Sequence, residues 1–236
     1  MLKFGFDPKA LAKDETPAIH YFDEDQSCWI NIGGTVSDNT ITVEVDHLTQ
    51  FAVMAPIKIE IPQLTDIAGH WAYAHINKLV ALGVLSGYPD GSFRPDNNIT
   101  RAEFATVLVK AFQLENKSGK VFADTAQHWA KGFIATAASN SIVNGYAPHT
   151  FGPDDPLTRE QMAVMIAKAA KLSPSAGELL FADSSSISDW ARSSLAKAVE
   201  NGIINGYPDN TVRPQSLATR AEAVTVIVKA LEMRNK

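Results

Sequence analysis

Three arginines stand in one short frame: Thr100-Arg101-Ala102, Thr158-Arg159-Glu160 and Thr219-Arg220-Ala221. Arg101 and Arg159 lie 58 residues apart, and Arg159 and Arg220 lie 61 apart. Each falls in the first turn of an expected helix, where the macrodipole disfavours a cation by roughly a few tenths of a kcal/mol. A local rule broken three times points to a purpose beyond helix stability. A guanidinium grips a carboxylate with two parallel hydrogen bonds, and free amides at a helix N-terminus add donors. The frame therefore suits anion capture. The competing reading is an ion pair with Asp66, Asp124 or Asp183 that ties neighbouring units together.

The elements that must position these arginines repeat with them. Trp71, Trp129 and Trp190 form one register set, as do Gly87-Tyr88, Gly145-Tyr146 and Gly206-Tyr207, and Pro95, Pro153 and Pro214. Asp66, Asp124 and Asp183 open the units, and the third carries the extra Ser184-Ser185-Ser186. Each unit reads as helix, long loop, helix. The first helix of unit one is predicted from about His70 to Leu82, with Ile76, Leu79 and Val80 on its apolar face and Gly83 as its stop. Gly87-Tyr88-Pro89-Asp90-Gly91 is a turn-rich loop. Thr100 with Glu103, Thr158 with Gln161 and Thr219 with Glu222 make capping boxes that start the second helices. Phe104, Val107, Leu108, Ala111 and Phe112 then form a stripe at helical spacing. Met162, Met165, Ile166 and Ala169 repeat it, as do Val226, Ile227, Ala230 and Leu231. Units this short cannot bury a face alone and must share a core.

Composition narrows the function. The 236 residues carry 21 Lys+Arg against 26 Asp+Glu, a net charge of −5 with no basic block, which argues against nucleic acid as a partner. No apolar run reaches the roughly 20 residues of a membrane helix, so no membrane insertion is expected. The single Cys28 excludes a disulfide framework and a cysteine-based zinc site. The loop from Asp90 to Asn98 lacks EF-hand spacing, and no phosphate loop or recognisable catalytic triad occurs. No cofactor, metal or catalytic residue is expected. The first residues, Met1 to Pro8, lack the apolar core of a signal peptide, so export would require a signal upstream of them.

Taken together, an opening Asp and Trp, then Gly-Tyr-Pro-Asp-Gly-x-Phe-x-Pro, then Ile-Thr-Arg-Ala-Glu-Phe, resemble the S-layer-homology repeat, in three tandem copies from about Leu64 to Leu231. The resemblance implies a mainly α fold, with three helix-loop-helix repeats (64–115, 121–173 and 180–233) in a pseudo-threefold spindle, preceded by a small β-segment at residues 1–60. It implies a non-catalytic anchor at the cell wall, whose grooves between repeats bind a pyruvylated secondary wall polysaccharide. On that reading Arg101, Arg159 and Arg220 meet the pyruvyl carboxylate. Trp71, Trp129 and Trp190 either stack on sugar rings or anchor the core. Tyr88, Tyr146 and Tyr207, with Gly87, Gly145 and Gly206, either present amides and phenols to glycan or pack a turn. Glu103, Gln161 and Glu222 support the groove through their caps. Asp66, Asp124 and Asp183 cap a helix or orient an arginine. The copies differ: unit two has Ala147-Pro148-His149 in place of Pro-Asp-Gly, and unit three has Asp189 for His70 and His128 and Val212 for Phe93 and Phe151. Unequal grooves are expected, with the third the weakest.

Residues 1–60 lie outside the repeat. Ser27 to Val53 alternates like β-structure, Thr40 to Val45 reads as a strand after a Ser37-Asp38-Asn39 turn, and Pro56 and Pro62 mark a linker. The segment is read as the C-terminal part of a larger β-domain. Tyr21-Phe22-Asp23, Trp29, Gly33-Gly34 and His47-Leu48-Thr49 resemble the autoproteolysis site of GAIN-type domains, where a His activates the Thr hydroxyl. Val43 and Val45 stand where that family has cysteines, which favours an ordinary terminal strand and an intact Leu48–Thr49 bond. A self-cleaving surface protein and a scaffold with lateral S-layer contacts are the rival functions.

Overall fold

The computed structural model describes residues 1–11, 15–23, 28–46, 49–54, 63–115, 120–175 and 177–234. Pro56, Pro62, His47 and Leu48 lie outside the described residues. The chain divides into two compact units, Met1–Glu60 and Ile61–Lys236.

The first unit is built from β1 (Leu2–Gly5), β2 (Ala18–Asp23), β3 (Cys28–Gly33), β4 (Thr35–Ser37), β5 (Thr40–Val43) and β6 (Phe51–Met54). They form two antiparallel three-stranded sheets, ordered β1-β5-β4 and β3-β2-β6. The hairpin between β4 and β5 turns through Asp38 at φ 52°, as the Ser-Asp-Asn signal demands. The strand after it ends at Val43, two residues short of the expected Val45. Ile19 and Ile41 are fully buried and make the small core of this unit.

The second unit carries α1 (Tyr73–Ala81), α2 (Arg101–Ala111), α3 (Lys131–Ser139), α4 (Arg159–Ala169), α5 (Asp189–Glu200) and α6 (Arg220–Arg234). Helix α1 starts three residues later than its apolar pattern predicts. His70 instead shapes a turn, in which the Ala72 amide donates to His70 Nδ1 at 3.1 Å. All three capping boxes form. The Glu103, Gln161 and Glu222 amides donate to the Thr100, Thr158 and Thr219 hydroxyls, and each N3 side chain accepts from the cap's own amide. The apolar stripes sit where expected: Phe104, Leu108, Met162, Ile166, Ile227 and Ala230 are buried in one continuous core.

Packing is cyclic. Helix α3 of unit two lies against α2 of unit one, α5 of unit three against α4, and α1 of unit one against α6, while α2, α4 and α6 meet one another. Backbone bonds close the same ring. The Ile99 amide donates to the Ala218 carbonyl, Ala218 to Leu157 and Leu157 back to Ile99, at 2.8–3.0 Å. Lys78 and Glu232 pair across the closing seam at 2.7 Å.

The expectation of a mainly α fold preceded by a small β-segment holds in part. The first unit is sheet, and much of each repeat is irregular loop held by side-chain bonds to its backbone, so the chain is a mixed helix, loop and strand protein. Among the described residues no helix is long and apolar enough to cross a membrane.

Candidate functional site

The arginines are buried. Arg101, Arg159 and Arg220 keep 5%, 7% and 9% of their surface. Each reaches the next unit in the ring. Arg101 Nε donates to the Phe151 carbonyl at 3.0 Å, Arg159 Nε to Val212 at 2.9 Å and Arg220 Nε to Phe93 at 2.9 Å. The alternative ion pairs with Asp66, Asp124 and Asp183 do not form among the described residues. Those carboxylates hold the loops that present the carbonyls. Asp66 accepts from the Phe93 and Arg94 amides, Asp124 from Phe151 and Gly152, and Asp183 from Val212 and Arg213, at 2.6–3.0 Å.

Nor are the amides of the helix N-termini free to take an anion. The Arg101 and Ala102 amides donate to the Asp155 and Pro153 carbonyls, Arg159 and Glu160 to Ser216 and Pro214, and Arg220 and Ala221 to Asn97 and Pro95. The next unit therefore fills the donors that an isolated helix would offer.

The real partner of the arginine is the capping-box carboxylate of the following unit. Arg159 Nη1 donates to Glu222 Oε1 at 2.6 Å, and Arg220 Nη1 to Glu103 Oε1 at 2.9 Å. Each glutamate thus divides its oxygens, one to its own helix cap and one to its neighbour's guanidinium. The same oxygen accepts from Tyr207 at 2.6 Å and lies 3.5 Å from the Tyr88 hydroxyl. Burial, together with the Glu222 bond, raises the Tyr207 phenol. Ring order gives Arg101 to Gln161, whose amide offers nitrogen where glutamate offers oxygen. Arg101 Nη2 turns instead to the Asn144 carbonyl at 3.0 Å.

Three grooves result, and each draws on all three units. The first is lined by Gly87, Tyr88, Glu103 and Lys110, by Arg220 and by Trp129. The second has Gly145, Tyr146, Gln161 and Lys168, with Arg101 and Trp190. The third has Gly206, Tyr207, Glu222 and Lys229, with Arg159 and Trp71. The tryptophans are not core anchors: Trp71, Trp129 and Trp190 are 62%, 62% and 58% exposed. The arginines stack on the tyrosines, with Arg220 4.9 Å from the Tyr88 centroid, Arg101 4.3 Å from Tyr146 and Arg159 4.7 Å from Tyr207. The glycines are a matter of space, since a Cβ on Gly87 would lie 2.8 Å from the Ser92 carbonyl and one on Gly206 2.9 Å from Thr211.

Sequence reasoning passed over Lys110, Lys168 and Lys229, although each lies ten residues after its cap threonine, a spacing that marks them as one set. It also passed over Arg94 and Arg213, which cover the outer faces of Tyr88 and Tyr207 at 4.2 and 3.9 Å. Gly152 takes their place in unit two.

The loop carboxylates carry a pH signature. Burial alone would raise Asp66 and Asp124, but the amide bonds from Phe93 and Arg94, and from Gly152 and Phe151, more than offset it, so both titrate below the ordinary value. A depressed native pKa contributes stability above the unfolded pKa of about 4, and that stability is lost as pH falls through the native value. Urea melts should therefore hold steady from about pH 7 to 5 and weaken below about 4. The double variant Asp66→Asn/Asp124→Asn should lose part of that acid slope. An unchanged slope would show that these bonds do not link folding to protons.

Residues 63–105, 121–163 and 180–224 match the S-layer homology domain. An amylopullulanase of Thermoanaerobacterium thermosulfurigenes is 31% identical over 224 residues, covering 91% of this chain and so reaching into the N-terminal unit, but 12% of that protein. A cellulosome-anchoring protein of Acetivibrio thermocellus is 37% identical over 63% of this chain and 35% of its own length. The surface-layer 125 kDa protein of Lysinibacillus sphaericus is 34% identical over 72% of this chain and 15% of its own length. The chain thus spans much less than two thirds of these relatives. The family match begins at residue 63 and leaves the likeness of residues 1–60 to GAIN-type domains unsupported.

Proposed function

Because the chain belongs to the S-layer homology family, we propose that residues 61–236 form a non-catalytic module, the family's pseudo-threefold spindle, that anchors a surface protein to the bacterial cell wall. The partner is a wall polysaccharide carrying carboxylates, with a pyruvylated secondary polymer as the specific ligand. One observation carries this reading: an exposed Trp, a Tyr, a buried Arg and a Lys recur together in three grooves, each assembled from three units. An exposed indole beside a phenol offers a flat apolar face to a sugar ring, and the cations offer charge to its acidic substituent. Relatives named for anchoring and for surface layers support the same placement.

The test is sedimentation of the purified chain with bacterial wall sacculi, before and after chemical removal of the secondary polymer. Capture by intact sacculi and loss after removal is the expected result. Equal capture by stripped sacculi would point to peptidoglycan and overturn the polymer assignment. The N-terminal unit is read as an ordinary sheet: the Thr49 hydroxyl donates to the Phe22 carbonyl at 3.0 Å, a bond that ties it into the fold.

A further inference from the structure

The three grooves are alike in plan and unlike in charge. In the first and third, the protein's own glutamate occupies the guanidinium of the preceding unit. In the second, Gln161 stands there, and no described carboxylate lies within salt-bridge distance of Arg101. The exposed Asp155 and the loop carboxylate Asp124 attract Arg101 only from farther away. Lys168 lines the same groove without an acidic partner among the described residues.

Geometry adds a second, independent contrast. Arg101 places Nε and Nη2 on carbonyls of unit two, and Nη1 has no partner there. No unpartnered side-chain nitrogen or oxygen is fully buried among the described residues, so Nη1 keeps some exposure on a residue that lines the groove. Tyr146 lacks the carboxylate that Tyr207 binds and, with Gly152 beside it, lacks the outer arginine that covers Tyr88 and Tyr207. It is 54% exposed. The second groove is also the largest of the three, at ≈ 360 Å³ against ≈ 230 and ≈ 260 Å³.

We propose that the second groove is the carboxylate-selective site of this chain, that a ligand carboxylate takes the place held by Glu103 and Glu222 in the other two, and that Gln161 is the residue that sets this choice. The proposal deepens the anchoring reading and rests on it. Arg101 Nη1, the Gln161 amide nitrogen, the Tyr146 hydroxyl and Lys168 are all donors, and a carboxylate supplies the acceptors that they lack. In the first and third grooves a tethered carboxylate already holds the guanidinium, and a second one entering would meet like charge. Those grooves meet the glycan through indole, phenol and lysine, with their guanidinium already taken.

Titration calorimetry with two small probes tests this: a methyl hexopyranoside carrying a 4,6-linked pyruvate ketal, and the methyl ester of that ketal. The parent should bind the acid at one site per chain, about tenfold or more tighter than the ester. Gln161→Glu should remove that preference while far-ultraviolet circular dichroism stays unchanged, because the new carboxylate fills the site from within. Glu222→Gln should add a second acid-selective site. Equal acid preference in the parent and in Gln161→Glu would overturn the proposal, as would three equivalent acid sites or no binding of the acid by the parent. The ketal titration decides this inference whatever the sacculi show. Loss of sacculus capture by the parent would instead bring down the anchoring reading.

Discussion

Arg159→Ala should destabilise the repeat body by about 3 kcal/mol, an effect large enough to read directly from a urea melt. The guanidinium has three attachments: the Val212 carbonyl at 2.9 Å, Glu222 at 2.6 Å and the Tyr207 ring at 4.7 Å. The ion pair is well shielded, with side-chain exposures of 8% and 16%. Truncation leaves Glu222 with a half-buried negative charge and the carbonyl without its donor, and stranded groups of this kind cost more than the bond itself was worth. Arg101→Ala strands no carboxylate and should cost less, about 1–2 kcal/mol. This ordering separates a structural role from a purely ligand-binding one. The sequence alone suggests that an alanine here weakens wall binding and leaves the helices untouched. If Arg159→Ala melts with the parent, the ion pair is ornamental and that simpler view returns.

Replacing Trp71, Trp129 and Trp190 together by alanine should do the opposite: abolish sacculus binding and spare the fold. Each indole is about three-fifths exposed. Surface substitutions of this kind usually lie within about 0.5 kcal/mol of neutral. At a binding surface an aromatic anchor commonly contributes about 2 kcal/mol or more, roughly 30-fold in affinity, so losing one in every groove should take capture below detection. The check pairs sedimentation on sacculi with a thermal melt. Retained capture by a folded triple variant would remove the tryptophans from the binding surface, and with them the stacking argument.

Local features were legible in the chain and cyclic ones were not. A capping box joins residues three apart, so Thr100 and Glu103 announce α2 without any neighbour. The apolar stripe of Met162, Met165 and Ile166 likewise needs only helical spacing. The partner of Arg159 is 63 residues away and is chosen by the order of units around the ring. Nothing local to Thr158-Arg159-Glu160 identifies Glu222; the frame points first to a ligand carboxylate, with the opening aspartates as the alternative. The same blindness made the first amides of α2, α4 and α6 look free, although their acceptors come from the next unit. The loops between the helices were less legible for a different reason. Asp66, Asp124 and Asp183 stabilise loop backbone by side-chain bonds, which leave no periodic trace in a sequence. The Gln161 substitution was visible as a letter, but its meaning depends on Arg101 facing it.

Ring closure also sets a timetable for biosynthesis. The first groove needs Arg220, the second needs Trp190, and the third is built around Tyr207. All of these lie in the third repeat and so emerge after the first two, and the Ile99–Ala218 seam joins segments more than a hundred residues apart. A nascent chain with two units complete can fold α2 and pack α3 against it, yet it possesses no finished groove. A chain clipped before α6 loses two of the three, since it lacks Arg220 for the first groove and Glu222 for the third, and it keeps every residue that lines the second. Groove formation therefore waits for the third repeat: the second groove is complete once α5 has emerged, and the other two only after α6 has closed the ring.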